Sequence, residues 1–179
     1  IYNKDETILK NTNYNNILCD KYRKGHFDGV ITVLNKFFSI VKSNKVYFGE
    51  KDFQQLKIIE KFIQEKYKSL DLVRVPTKRS KEGIAYSSRN EKLSKKQIQD
   101  FIGLHQRTEN FLKSLEKSLD IETANQKAKD FIAKQDIEKL DYFEFRNNED
   151  LSFNGKVSES RLFYAIYKGK IRLIDNLKI

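Results

Sequence analysis

Apolar positions follow helical and strand rhythms along most of this chain. Val30, Val33, Leu34, Phe37, Phe38 and Val41 recur at i, i+3, i+4, i+7, i+8 and i+11, one stripe of a helix that starts near Phe27. Ser43-Asn44 interrupts it, and residues 45–48 read as a short strand. A second helix carries Phe53, Leu56, Ile59, Phe62 and Ile63 on one face, and a strand over 71–75 ends at Pro76. Ahead of all this, residues 4–24 are polar and Asn-rich, with Ile8, Ile17 and Leu18 as anchors; they read as a loop with room for one short strand. Strand, helix and strand with a crossover of this length imply parallel pairing and an open α/β sheet. Ligands of such sheets sit beyond the carboxyl ends of the strands, where Gly49 and Pro76-Thr77 both fall, so one crevice is expected there.

Beyond Asn90 the rhythm changes. Ser94-x-x-Gln97 is a capping-box pattern opening a long helix, with Ile98, Phe101, Ile102, His105, Thr108, Leu112, Leu115 and Leu119 on one side. Ala124, Ala128, Phe131 and Ile132 mark a further helix. Strands are expected over 140–145, 161–167 and 171–174, the last two joined through Lys168-Gly169-Lys170, with a turn at Asn154-Gly155. The fold class is therefore α/β followed by a small α+β module of helices and a three-stranded antiparallel sheet. The domains are 1–77 and 78–179.

Composition narrows the picture. The 179 residues are enough to bury a core. Their short, charge-interrupted apolar runs resemble neither a membrane span nor a signal peptide. One cysteine, Cys19, leaves no internal disulfide framework and fits a reducing, cytoplasmic compartment. Cys19, His26 and His105 lie too far apart in sequence to suggest a metal site. The net charge of +10 and pI of about 9.5 allow attraction to polyanions. Lys outnumbers Arg and acidic residues are interspersed, which weighs against a specific nucleic-acid reader.

The chemistry concentrates in Tyr47-Phe48-Gly49-Glu50-Lys51-Asp52-Phe53-Gln54-Gln55. Glycine permits a turn and a close ligand approach, a helix start offers N–H groups to an anion, and Lys51 adds a mobile positive charge. Tyr86-Ser87-Ser88-Arg89-Asn90 supplies a second loop of hydroxyls and a guanidinium. Together these suggest an enzyme that handles ATP. Each has a plainer reading. Asp52-x-x-Gln55 is also an N-cap pair, and Ser87-Ser88-Arg89 could be a solvated turn capping the next helix. His26, at the start of an apolar helix, and His105, on an apolar stripe, read as structural. The alternating aromatics Tyr142, Phe143, Phe145, Phe163, Tyr164 and Tyr167 read as core.

Four blocks occur in this order and at similar intervals in the pantothenate synthetase (pantoate–β-alanine ligase) family. They are Gly25-His26-Phe27-Asp28-Gly29-Val30, residues 47–55, Ser87-Ser88-Arg89-Asn90 and Arg172-Leu173-Ile174-Asp175-Asn176. The family's Pro-Thr-Met-Gly and His-x-Gly-His segments have no counterpart here. Ile1-Tyr2-Asn3 resembles a region midway through the family's first domain, so the chain resembles the C-terminal part of the enzyme. The first domain is expected to be the C-terminal portion of a Rossmann-like nucleotidyltransferase domain and the second its lid. The resemblance implies ATP-dependent condensation of pantoate with β-alanine through a pantoyl adenylate, magnesium carried on ATP, and a homodimer. It implies ATP contacts at Gly49, Glu50, Lys51, Asp52, Lys78, Tyr86, Ser87, Ser88 and Arg89, and pantoate contact at Gln55. Gly49 and Asp52 would meet the ribose, Lys51 the α-phosphate, residues 87–89 the triphosphate, and the Lys78 backbone adenine. With the flanking blocks in register, the ligand role is the expectation for Asp52 and Gln55. The family usually has an aliphatic residue at Tyr86 and Val at Lys78. No catalytic residue is identifiable in this stretch, which alone is expected to be silent. A basic nucleic-acid-binding module and an inactive scaffold are the alternatives.

Overall fold

A parallel pair of strands and the helix that crosses between them form the centre of the first unit. The computed structural model describes residues 7–179; Ile1-Tyr2-Asn3 lies outside the described residues. The chain divides into two compact units, Ile1–Pro76 and Thr77–Ile179. In the first, α1 (Leu18–Tyr22) and α2 (His26–Ile40) precede β1 (Lys45–Gly49), a 3-10 turn (Glu50–Asp52), α3 (Phe53–Lys66) and β2 (Asp71–Val75). β1 and β2 pair in parallel from Lys45 opposite Asp71 to Gly49 opposite Val75. The expected face of α3 is buried, and Gln54, Lys57 and Ile58 join it.

Two expectations need correction here. Residues 7–24 hold a short helix, α1, and no strand. Asp20 and Arg23 donate their N–H groups to the carbonyls of Ile17 and Cys19 at 3.0 and 2.9 Å, so this backbone satisfies itself locally. In α2 the period is right but the phase is not. Phe27, Ile31 and Phe38 are buried, whereas Val33, Phe37 and Val41 are exposed, Phe37 at 55%. Tertiary partners set the phase. Phe38 meets Tyr67 edge-on at 5.3 Å, and Asp28 and Thr32 accept the N–H groups of Asn11 and Leu9 at 2.8 and 2.9 Å.

In the second unit a 3-10 turn (Asn90–Lys92) leads to α4 (Lys95–Lys113), α5 (Ile121–Ala133), β3 (Lys139–Asn147), β4 (Ser160–Lys168) and β5 (Ile171–Lys178). The strands form an antiparallel sheet in the order β3-β4-β5. The capping box of α4 is complete: Ser94 Oγ accepts from Gln97 N–H at 3.2 Å, and Gln97 Oε1 accepts from Ser94 N–H at 2.9 Å. α4 stops at Lys113, short of the expected Leu119, and the Ser114 hydroxyl donates to the Phe111 carbonyl at 2.7 Å in its last turn. Leu115 still reaches the core, from the connection. β5 runs on past 174 to Lys178, since the polar Asp175 and Asn176 are buried in the ladder opposite Tyr164 and Phe163. Alanines 124 and 128 of α5 lie fully buried in the cluster that includes Phe145, Leu162 and Ile166. Of the strand aromatics, Tyr142, Phe143, Phe145, Phe163 and Tyr164 are buried as expected, whereas Tyr167 is half-buried, with Lys139 Nζ 4.5 Å from its ring centroid.

Candidate functional site

At the carboxyl edge of the parallel pair the chain leaves β1, makes the 3-10 turn and enters α3. Gly49, Glu50, Lys51, Asp52 and Gln55 are gathered there. Gly49 is extended, at φ −75° and ψ 135°, so the turn does not draw on glycine's freedom as expected. What Gly49 provides is space: beyond its two chain neighbours, no described residue places an atom within 4 Å of the position a Cβ would take. Glu50, Lys51 and Gln55 are half-buried and Asp52 is exposed. Asp52 occupies the N-cap position of α3 at φ −96° and ψ 58°, and its side chain makes no capping bond to the helix. The reciprocal pair that Asp52-x-x-Gln55 permits is therefore not formed.

The neighbouring Gln54 has a different task, one that nothing in the local pattern signals. Its amide donates to the carbonyls of Tyr14 and Ile17 at 3.2 and 3.0 Å, and its oxygen accepts from Cys19 N–H at 2.9 Å. It brackets the segment carrying the left-handed residues Tyr14, Asn16 and Leu18. The bracket joins that segment to the start of α3.

Lys78, Tyr86, Ser87, Ser88 and Arg89 are gathered in the second unit. Residues 78–86 form a tight hairpin, with Tyr86 N–H bonded to Lys78 O at 3.1 Å, Ser80 N–H to Ile84 O at 2.9 Å, and Arg79 bridged to Ala85. Lys78 Nζ stands 5.8 Å from the Tyr86 ring centroid, and the ring is 59% exposed. Lys78 and Tyr86 thus approach each other across the mouth of the hairpin. Next comes a closed turn: Ser87 Oγ accepts from Arg89 N–H at 3.3 Å, Ser87 O accepts from Asn90 N–H at 2.9 Å, and the Asn90 amide donates to Ala85 O at 2.9 Å. Ser87 thereby takes part in a local turn while keeping its hydroxyl hydrogen to donate.

Arg79, Asp175 and His105 hold this hairpin; Asp175 falls in the 172–176 block and His105 on the helical stripe, but nothing in the sequence ties either to Arg79. Arg79 forks onto Asp175 at 2.6 and 3.0 Å, and also donates to the carbonyls of Gly83 and Asn176 at 3.0 and 2.9 Å. Asp175 further accepts from Asn176 N–H at 2.8 Å and stands 3.5 Å from the Tyr164 hydroxyl. Burial, then the Asp175 charge, holds that phenol well above its ordinary range. Gly83 turns the hairpin at φ +88° over His105, whose Nε2 lies 2.6 Å from where a Cβ would stand. His105 is fully buried; neither ring nitrogen is hydrogen-bonded among the described residues, and Glu109 Oε1 is 3.5 Å from Nε2. Burial pushes this imidazole below its ordinary value of 6.5, against the pull of Glu109 and Asp175.

Among the described residues no group of three or more His, Cys, Asp or Glu could hold a metal ion, and no helix is long and apolar enough to cross a membrane. A family model described as pantoate-beta-alanine ligase matches residues 1–178. The pantothenate synthetase of Caldicellulosiruptor bescii is 35% identical over 176 residues, covering 97% of this chain and 62% of its own. That of Aquifex aeolicus is 36% identical over 168 residues, covering 91% and 58%. The crystal structure of pantothenate synthetase from Thermus thermophilus superposes with a TM-score of 0.80 at 29% identity, covering 91% of this chain and 59% of that one. The Francisella tularensis pantoate-beta-alanine ligase, complexed with beta-gamma ATP and beta-alanine, gives 0.66 at 31% identity, covering 91% and 54%. The chain thus spans about three fifths of the length of the curated relatives it matches. The α/β fold is that of the matched structures: a Rossmann-like portion followed by helices with a three-stranded antiparallel sheet.

Proposed function

Since the chain belongs to the pantoate–β-alanine ligase family, we propose that the whole protein joins pantoate to β-alanine at the expense of ATP, through a pantoyl adenylate. A pantoate carboxylate oxygen attacks the α-phosphorus, and pyrophosphate leaves with the electrons of the α–β bridging bond. The β-alanine amine then attacks the acyl carbon, AMP departs with the oxygen that came from pantoate, and the amine loses a proton. Neither step requires a covalent bond to protein. Both require alignment and neutralised phosphate charge.

One observation supports the substrate-facing reading above the rest: Asp52 sits at a helix start without capping it. In this reading Gly49 and Asp52 serve the ribose, Glu50 lines the nucleotide, Lys51 meets the α-phosphate, and Gln55 takes the pantoate hydroxyl and carboxylate. Ser87, Ser88 and Arg89 follow the charge that builds on the triphosphate. The Lys78 backbone and Tyr86 lie toward adenine. Magnesium travels on the nucleotide phosphates, an ion that keeps its waters and favours phosphate oxygens. The ATP and β-alanine complex of the Francisella relative supports the choice of substrates. The working enzyme is a cytoplasmic homodimer, with 1–77 as part of the Rossmann-like domain and 78–179 as its lid. The 179 residues by themselves do not complete the reaction.

Lys51→Ala and Arg89→Ala test these roles in the protein completed to its relatives' length. Each should slow pyrophosphate release by roughly a hundredfold, about 3 kcal/mol, with a much smaller effect on pantoate binding. Release at the wild-type rate in either variant shows that its turn does not serve the phosphates.

A further inference from the structure

We infer that Asp175 is a positioning residue for the 87–89 turn: acting through Arg79, it fixes the hairpin on which that turn is built, and it touches no substrate. The inference rests on the triphosphate role proposed above for Ser87, Ser88 and Arg89. The linkage can be followed bond by bond. Asp175 is held in the β5 ladder opposite Tyr164, and its side chain is 1% exposed. Its carboxylate takes both arms of the Arg79 fork at 2.6 and 3.0 Å. The same guanidinium reaches one carbonyl in the hairpin, Gly83, and one in β5, Asn176. Those bonds set register as well as proximity, which an apolar contact at this place could not do.

From Ala85, the bridge partner of Arg79, the carbonyl passes the constraint on to the Asn90 amide, which closes residues 87–90. Gly83 resting on the His105 ring blocks the hairpin from sinking further. Breaking the fork would leave a nearly buried carboxylate uncompensated, so the hairpin has no inexpensive alternative position. Phosphoryl chemistry is sensitive to such support, because a misplacement of about 1 Å can cost roughly a hundredfold in rate.

Asp175→Asn and Arg79→Lys test the assignment, since each keeps size or charge while removing the forked pair. In the completed protein each should lower kcat for pyrophosphate release about tenfold or more and leave the pantoate KM within about twofold. In the 179-residue chain, amide exchange at Tyr86 and Asn90 should quicken about tenfold while the β3–β4 ladder keeps its protection. Ile166→Val, a core change in β4 that lowers Tm while leaving the Arg79–Asp175 fork intact, should alter neither readout. Exchange that rises equally throughout the second unit, or an unchanged kcat beside a loosened hairpin, overturns the inference. Should Arg89→Ala release pyrophosphate at the wild-type rate, the triphosphate role fails instead, and the exchange pattern alone decides whether Asp175 fixes the hairpin.

Discussion

At Gln55 a single added charge separates a substrate contact from a helix cap. Glutamate serves a capping box as well as glutamine does, and here Asp52 makes no cap bond to lose. A carboxylate at 55 would face the pantoate carboxylate in a partly dehydrated turn, where like charges repel strongly. Gln55→Glu should therefore raise the apparent pantoate KM about tenfold or more while Tm hardly moves, both measured on one preparation. An unchanged KM returns Gln55 to a purely structural place. Candidates of this kind stand out in the sequence because their chemistry is contiguous: Gly49 to Gln55 and Ser87 to Arg89 are runs whose types suit phosphate and hydroxyl partners. Gln54 does not, because its partners are backbone atoms of Tyr14, Ile17 and Cys19, supplied only by the fold. The pairing of Arg79 with Asp175 does not either, since 96 residues separate them, although Asp175 itself falls in the 172–176 block.

Elements were legible where local signals agree with tertiary demand. The α4 cap and the β4–β5 turn have their chemistry within a few residues, and the β1–α3–β2 crossover follows from the order and length of consecutive elements. Where elements meet others, periodicity gave the type and not the phase or the end. α2 turns its buried side toward Phe27, Ile31 and Phe38, and β5 continues through buried polar residues that interrupt the apolar rhythm. His105 on α4 gives this scale its own prediction. Glu109, Asp175 and Arg79 surround it, and burial keeps it neutral in the folded chain. The unfolded chain binds a proton there below about 6.5, whereas the folded chain resists. The contribution is thus full above that value and is lost as pH falls toward the lowered folded value. Urea unfolding from about pH 7 to 5 should show stability falling, with a flatter profile in His105→Gln. Superimposable profiles would assign the titration elsewhere.

For the whole molecule, the turns at 49–52 and 87–90 fall one in each unit, and the net charge of +10 suits the polyanionic nucleotide proposed for them. The chain covers about three fifths of its relatives, so catalysis is a property to test in the completed protein. In the proposed route pantoate is activated by direct attack of its carboxylate on the α-phosphate. Turnover of pantoate labelled with oxygen-18 in the carboxylate measures this without reference to any one residue. One labelled oxygen should appear in AMP, because the acyl carbon–oxygen bond breaks in the second step. AMP free of label, with the departing oxygen found in pyrophosphate or orthophosphate instead, would contradict the adenylate route.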